Sequence, residues 1–196
     1  MTDPTPHLFW ITSRAAGSVA LVLTSLSVSL GLVMAIRLKL RSRGPELRAL
    51  HEVLALTGLT AVAVHGISLI GDHYLHPSLV DIAVPFASHY RTWWTSAGIV
   101  AGWSLAALGL SYYARGRIGA ARWRALHRLS SVAWGLGIAH SLGEGTDAGQ
   151  IWFVAALVVV AAPALLLLGF RTVRSVQLDA ASASAGAAAV ADAPEP

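Results

Sequence analysis

Five apolar stretches, roughly 15–36, 49–71, 93–114, 125–143 and 149–170, fill most of this 196-residue chain, and they restrict its fold more than any other feature. Each is close to the roughly 20 residues that an α-helix needs to cross about 30 Å of hydrocarbon. A backbone in lipid has no water to bond, so every N–H and C=O must be satisfied within the segment or in a closed barrel. Runs of this length favour the helical solution. Only 12% of the residues are charged, against about 25% for an ordinary soluble domain, and the mean hydropathy is +0.62. The expectation is an all-α integral membrane protein, a bundle of five transmembrane helices. The fourth stretch is the weakest, because Arg128 and two serines dilute it.

The net charge of +4 does not point to nucleic acid once the positions of the charges are read. Arg37, Lys39, Arg41, Arg43 and Arg48 lie between the first and second stretches, and Arg115, Arg117, Arg122, Arg124 and Arg128 lie between or at the edge of the third and fourth. Arg171 and Arg174 follow the fifth, which leaves Arg14 and Arg91 on the opposite side. This is the positive-inside pattern. It puts the N-terminus outside and the C-terminus in the cytoplasm of a multi-pass protein of the inner (plasma) membrane, surrounded by lipid. No basic region precedes the first stretch, so it is read as a retained helix and not as a cleaved signal. The chain divides into an outer N-terminal segment (1–10), a transmembrane domain (11–174) and an Ala-rich cytoplasmic tail (175–196) expected to be disordered.

Histidines break the apolar pattern. The segment ALHEVLALTGLTAVAVHG carries His51 and His65, and RALHRLSSVAWGLGIAHSLG carries His127 and His140. Ionisable residues inside a span are costly and mark functional sites by default. On an ideal helix the step from His51 to His65 is about −40°, so both share a face, with about 21 Å between them along the axis. Ala55, Gly58 and Val62 lie between them on that face, a stripe that suits a flat group or a close helix contact. From His127 to His140 the axial distance is similar, about 19.5 Å, but the rotation is about 220°. Gly135 and Gly137 are the candidate points for rewinding. The second and fourth helices run parallel, so His51 meets His127 near the cytoplasmic side and His65 meets His140 near the outer side. Each pair can clamp one iron from both faces of a porphyrin, filling both axial positions.

The chain has no cysteine, and its methionines are Met1 and Met34. Thiolate clusters and covalent haem attachment are thereby excluded, and histidine must supply nearly all ligation of any redox metal.

The paired spacings H-x13-H and H-x12-H, with SRAAGSVALVLTSLSV, VPFASHYRTWW and HSLGEGTD, resemble the ferric reductase-like transmembrane domain over roughly residues 8–172. NADPH oxidases, ferric reductases and the haem-binding membrane subunit of the periplasmic methionine sulfoxide reductase system share that domain. The resemblance implies two b-type haems between the second and fourth helices, with His51, His127, His65 and His140 as axial iron ligands. It also implies transmembrane electron transfer, the chain acting as the haem-carrying membrane subunit of an oxidoreductase. The family's larger members carry a flavin and nicotinamide domain, for which this chain has neither a G-x-G-x-x-G after a strand nor the length. Flavin would therefore sit on a partner, if anywhere. The donor would be a separate flavoprotein reductase or a quinol, and the outer acceptor ferric iron, oxygen or a periplasmic protein.

Arg14 and Arg91 border the outer ends of apolar helices and are candidates for the outer haem's propionates, interfacial anchoring being the alternative. Arg48, Arg124 and Arg128 flank the inner histidines, where topology alone accounts for them. Trp134 lies midway between His127 and His140, with packing favoured over a place between haems. The outer loop holds His73, His76, His89, Asp72 and Asp81, candidates for docking an acceptor or a metal ion. The competing function is a histidine-lined metal or proton-coupled transporter. Against it, no Asp or Glu lies mid-span, and metal sites of that kind gather several ligands together.

Overall fold

The computed structural model describes residues 7–36, 44–72, 74–145 and 147–191. Arg37, Lys39, Arg41, Arg43 and His73 lie outside them. The described residues are helical and contain no strand. The order is α1 (Leu8–Ala35), α2 (Gly44–Ser68), α3 (Leu79–Ala83), α4 (Thr92–Leu110), α5 (Arg115–Ile118), α6 (Ala120–His127), α7 (Ser130–Glu144) and α8 (Ile151–Ala191). Among them, four helical segments are long and apolar enough to cross a membrane: Leu8–Ala35, Gly44–Gly71, Thr92–Ile118 and Ile151–Leu178.

The expected fourth span, 125–143, is not one helix. It divides at Arg128–Leu129 into α6 and a 15-residue α7, which is shorter than the roughly 20 residues of a full crossing. Three i→i+3 hydrogen bonds mark the division: Leu129 to Leu126, Ser131 to Arg128 and Val132 to Leu129. The chain tightens here into a 3₁₀ turn, not at Gly135 or Gly137, which both lie inside α7. At the N-terminus, Leu8–Trp10 of the expected outer segment already belong to α1. At the other end, α8 continues as helix to Ala191, through much of the tail for which disorder was expected. Alanine is the best helix former and loses no side-chain entropy, so the tail extends a helix already nucleated by the apolar run.

Two antiparallel pairs build the bundle. α1 packs along α2, α4 packs along α7, and α1 also contacts α7 and α8. α1 is therefore the central helix, and its buried face is largely hydroxylated: Ser13, Thr24, Ser25 and Ser27 with Ala20 and Leu32. In lipid these hydroxyls need partners, and each finds one. Ser13 and Ser27 reach α2, Thr24 bonds its own helix at Ala20 (2.7 Å), and Ser25 accepts a bond from Trp134 Nε1 at 2.9 Å. Trp134 is 2% exposed and packs with Leu32, Ala161 and Ala164. It is a core residue joining α7 to α1 and α8. The substitution Trp134→Phe keeps the ring but strands the Ser25 hydroxyl. It is expected to cost about 1 kcal/mol in a reversible detergent-unfolding titration, the scale of an interhelical bond in membranes.

Gly58, on the apolar stripe of α2, turns out to be a close-approach position. A Cβ there would stand 3.1 Å from Thr24 Cγ2 on α1, and Val62 lies against Gly102 of α4. That part of the stripe serves helix contact.

Candidate functional site: two histidine pairs

α2 shares almost no backbone contact with α6 or α7, yet two imidazoles from α2 meet one from α6 and one from α7. The His51 and His127 ring centres are 6.1 Å apart with planes at 84°, and those of His65 and His140 are 6.2 Å apart at 72°. A metal–imidazole bond is about 2.0–2.1 Å and a ring nitrogen lies about 1.1 Å from the ring centre, so two imidazoles sharing one metal along a line stand about 6.3 Å apart. Both pairs meet this spacing, one at each end of the bundle.

The outward nitrogens are engaged in a common way. Each Nδ1 points at a backbone carbonyl of a neighbouring helix: His51 at Ser27 (2.9 Å), His65 at Ser13 (2.8 Å), His140 at Trp94 (2.9 Å) and His127 at Leu108 (3.3 Å). A carbonyl only accepts, so Nδ1 carries the proton, and the lone pair is left on Nε2. This tautomer is the one a metal-ligating histidine adopts when its second nitrogen is anchored. Trp123 adds a stacking contact to His127, with ring centres 5.0 Å apart and planes at 21°.

Register explains how the pairs align. On the α1–α2 side, bonding partners and ligands are both fourteen residues apart, 13 and 27 against 65 and 51. On the α4 side the partners, Trp94 and Leu108, are also fourteen apart, while His127 and His140 are thirteen apart. The 3₁₀ turn makes up the difference. About three residues rising 2.0 Å and turning 120°, instead of 1.5 Å and 100°, add about 1.5 Å to the ideal 19.5 Å and about 60° to the ideal 220°, which brings the pair close to the 21 Å of α2 and turns His140 toward the face of His127.

The helices come close around the rings because glycines face them. A Cβ at Gly17 would lie 3.0 Å from His65 Nδ1, one at Gly31 would lie 3.3 Å from His51 Cε1, and one at Gly98 would lie 2.5 Å from His140 Nδ1. Ser13, Ser27, Gly17, Gly31 and Gly98 were not singled out from the sequence. The signal was present: Ser-x3-Gly occurs at 13–17 and again at 27–31, with the same fourteen-residue offset as the histidines of α2.

Arg14 and Arg91 both lie at the His65/His140 end. Arg14 pairs with Asp147 and stands over the Trp10 ring, 4.5 Å from its centre. Arg91 donates to the Gly143 carbonyl. Arg14 therefore ties the start of α1 to the segment joining α7 and α8, and Arg91 ties the start of α4 to the last turn of α7. At the other end Arg48, Arg124 and Arg128 are exposed, and Arg115 lies over the Tyr112 ring at 3.9 Å.

The loop candidates do not converge. Ser78 donates its hydroxyl (2.7 Å) and backbone N–H (2.9 Å) to Asp81 in a capping box at α3, which holds that carboxyl below the ordinary range. Asp72 accepts from the Tyr74 N–H at 3.1 Å. Among the described residues no three His, Cys, Asp or Glu side chains gather as a metal-binding group. The histidines are arranged as pairs, a donor set suited to a planar macrocycle that supplies the metal's other ligands and unsuited to a tetrahedral ion. Compared with models of protein families, with curated proteins and with solved structures, the chain matches none of them.

Proposed function

We propose that the protein carries electrons across a membrane through two b-type haems, one held by His51 and His127 and the other by His65 and His140. The observation that carries this reading is the pairing itself: two sets of imidazoles at the separation of a shared metal, each with Nδ1 anchored to a backbone carbonyl and the lone pair left on Nε2. His51 with His127 and His65 with His140 would hold the group, and haem iron bound there would supply one-electron redox chemistry. The chain's part is to fix four ring orientations and keep water out through the apolar walls of α1, α2, α4 and α7. It also spaces the two ligand sets about 21 Å apart along α2.

In this reading α6 and α7 together make the fourth of five crossings. The arginine-rich His51/His127 end faces the cytoplasm, and the end with Arg14 and Arg91 faces outward, in keeping with the positive-inside rule. Arg14 and Arg91 stand at the rim of the outer pair, where a guanidinium suits a propionate. A separate flavoprotein or membrane quinol delivers electrons at the inner pair, and an acceptor collects them at the outer pair. The membrane is the inner (plasma) membrane.

The test is direct. Protein purified in detergent from haem-replete cells should be red, with b-type bands in its reduced-minus-oxidised spectrum and about two haems per chain. If the ring planes keep their 84° and 72° angles when haem is bound, the oxidised protein would give strongly anisotropic low-spin EPR signals. A colourless preparation would refute the proposal and favour a histidine relay in transport.

A further inference from the structure

The two sides of the site are not held alike. Each histidine of α2 meets a serine of α1 twice. Ser13 accepts from His65 Nδ1 at its carbonyl (2.8 Å), and its hydroxyl lies 3.0 Å from the same nitrogen and donates to the His65 carbonyl at 3.0 Å. Ser27 repeats the arrangement with His51, at 2.9 Å to the carbonyl and 3.1 Å to the hydroxyl. One turn further along α1, Gly17 and Gly31 each give the ring its floor. Ser13 is 2% exposed and Ser27 5%, so these bonds are shielded from solvent. On the other side, the bonds found at His127 Nδ1 and His140 Nδ1 are to backbone carbonyls alone.

We infer that Ser13 with Gly17, and Ser27 with Gly31, are two equivalent clasps on α1, each setting the ring plane and tautomer of one α2 ligand and thereby tuning one haem independently of the other. The inference rests on the haem reading above. The physics is that of an outer-shell partner. A carbonyl and a hydroxyl on Nδ1 fix the ring against rotation and raise the electron density at Nε2, which strengthens the bond to ferric iron. A ring wedged between this grip and a glycine floor has one orientation available. Because the clasps sit fourteen residues apart on a helix antiparallel to α2, a change in one does not reach the other. Ser13 and Ser27 are positioning residues, acting through the histidines.

The test uses full-length, haem-loaded protein with Ser13→Ala, Gly17→Ala, Ser27→Ala and Gly31→Ala made singly. Redox titration resolves the two midpoints, and transfer of haem to excess apomyoglobin measures retention at each centre. Ser13→Ala and Gly17→Ala should shift the midpoint of the outer centre only and speed its haem loss about tenfold or more, the usual scale for outer-shell partners. Ser27→Ala and Gly31→Ala should do the same to the inner centre only. Ser13→Thr, which keeps the hydroxyl, should restore the outer midpoint. The untouched centre in each variant reports that the chain has folded. Equal changes at both centres, or none, would overturn the clasps while leaving the haem reading intact. A colourless unsubstituted protein would overturn both.

Discussion

If the proposed haem sites are right, replacing His65 with alanine is expected to leave a folded protein that holds one haem instead of two, with roughly half the b-type absorbance, because each iron would depend on two imidazole ligands and His140 alone would not close the set. The remaining centre should keep the midpoint of the inner pair, since His51 and His127 share no hydrogen bond with His65 or His140. In sealed vesicles loaded with an internal reductant, reduction of an external acceptor should fall to background, although the inner centre still takes up electrons. His51→Ala should give the mirror result, with an outer centre that is present but no longer filled from inside. His89→Ala in the outer loop serves as the control and should change neither the haem content nor the rate. Normal external reduction by the His65 variant would disprove the route.

The second large effect is expected from a residue that carries no chemistry. At Gly98 a Cβ would stand 2.5 Å from His140 Nδ1 and 2.7 Å from its Cε1 and Cγ, closer than real Cβ contacts come. Gly98→Ala must therefore turn the His140 ring or part α4 from α7, and either movement breaks the bond from His140 to the Trp94 carbonyl. Haem retention at the outer pair should drop by about tenfold or more, while the inner pair keeps its spectrum. Gly169→Ala on α8, where a Cβ meets nothing within 4 Å, should leave both centres unchanged and add about 1 kcal/mol of helix preference. Comparing haem per chain in the two variants separates a packing collision from a general intolerance of alanine. Equal haem content in both would show that α4 and α7 have room for a methyl group at Gly98.

How far the sequence carried can be judged residue by residue. The helical class and most of the long segments were readable because hydrocarbon leaves the backbone so few alternatives. The histidine pairs were readable because charge-bearing side chains are rare in such segments, and the fourteen-residue step puts His51 and His65 on one face by arithmetic alone. The thirteen-residue step was not readable. On an ideal helix its rotation points to rewinding at Gly135 or Gly137, whereas a 3₁₀ turn at Arg128–Leu129 supplies extra rotation and rise. Ideal-helix arithmetic has no access to such a local change, since it depends on which hydrogen bonds the packed chain selects. Gly58 misled in a different way, because a small residue on a face does not say which neighbour approaches it.

From the amino-acid order alone came the apolar segments, the asymmetry of the arginines, the absence of thiols and the four histidines set within apolar segments. These are one-dimensional properties, fixed by composition and spacing. Tertiary structure alone decided which carbonyl each Nδ1 meets, that α1 and not α2 is the central helix, and that Gly17, Gly31 and Gly98 face rings instead of turning the chain. Those outcomes depend on the relative register of antiparallel helices, and register emerges only when the helices pack against one another.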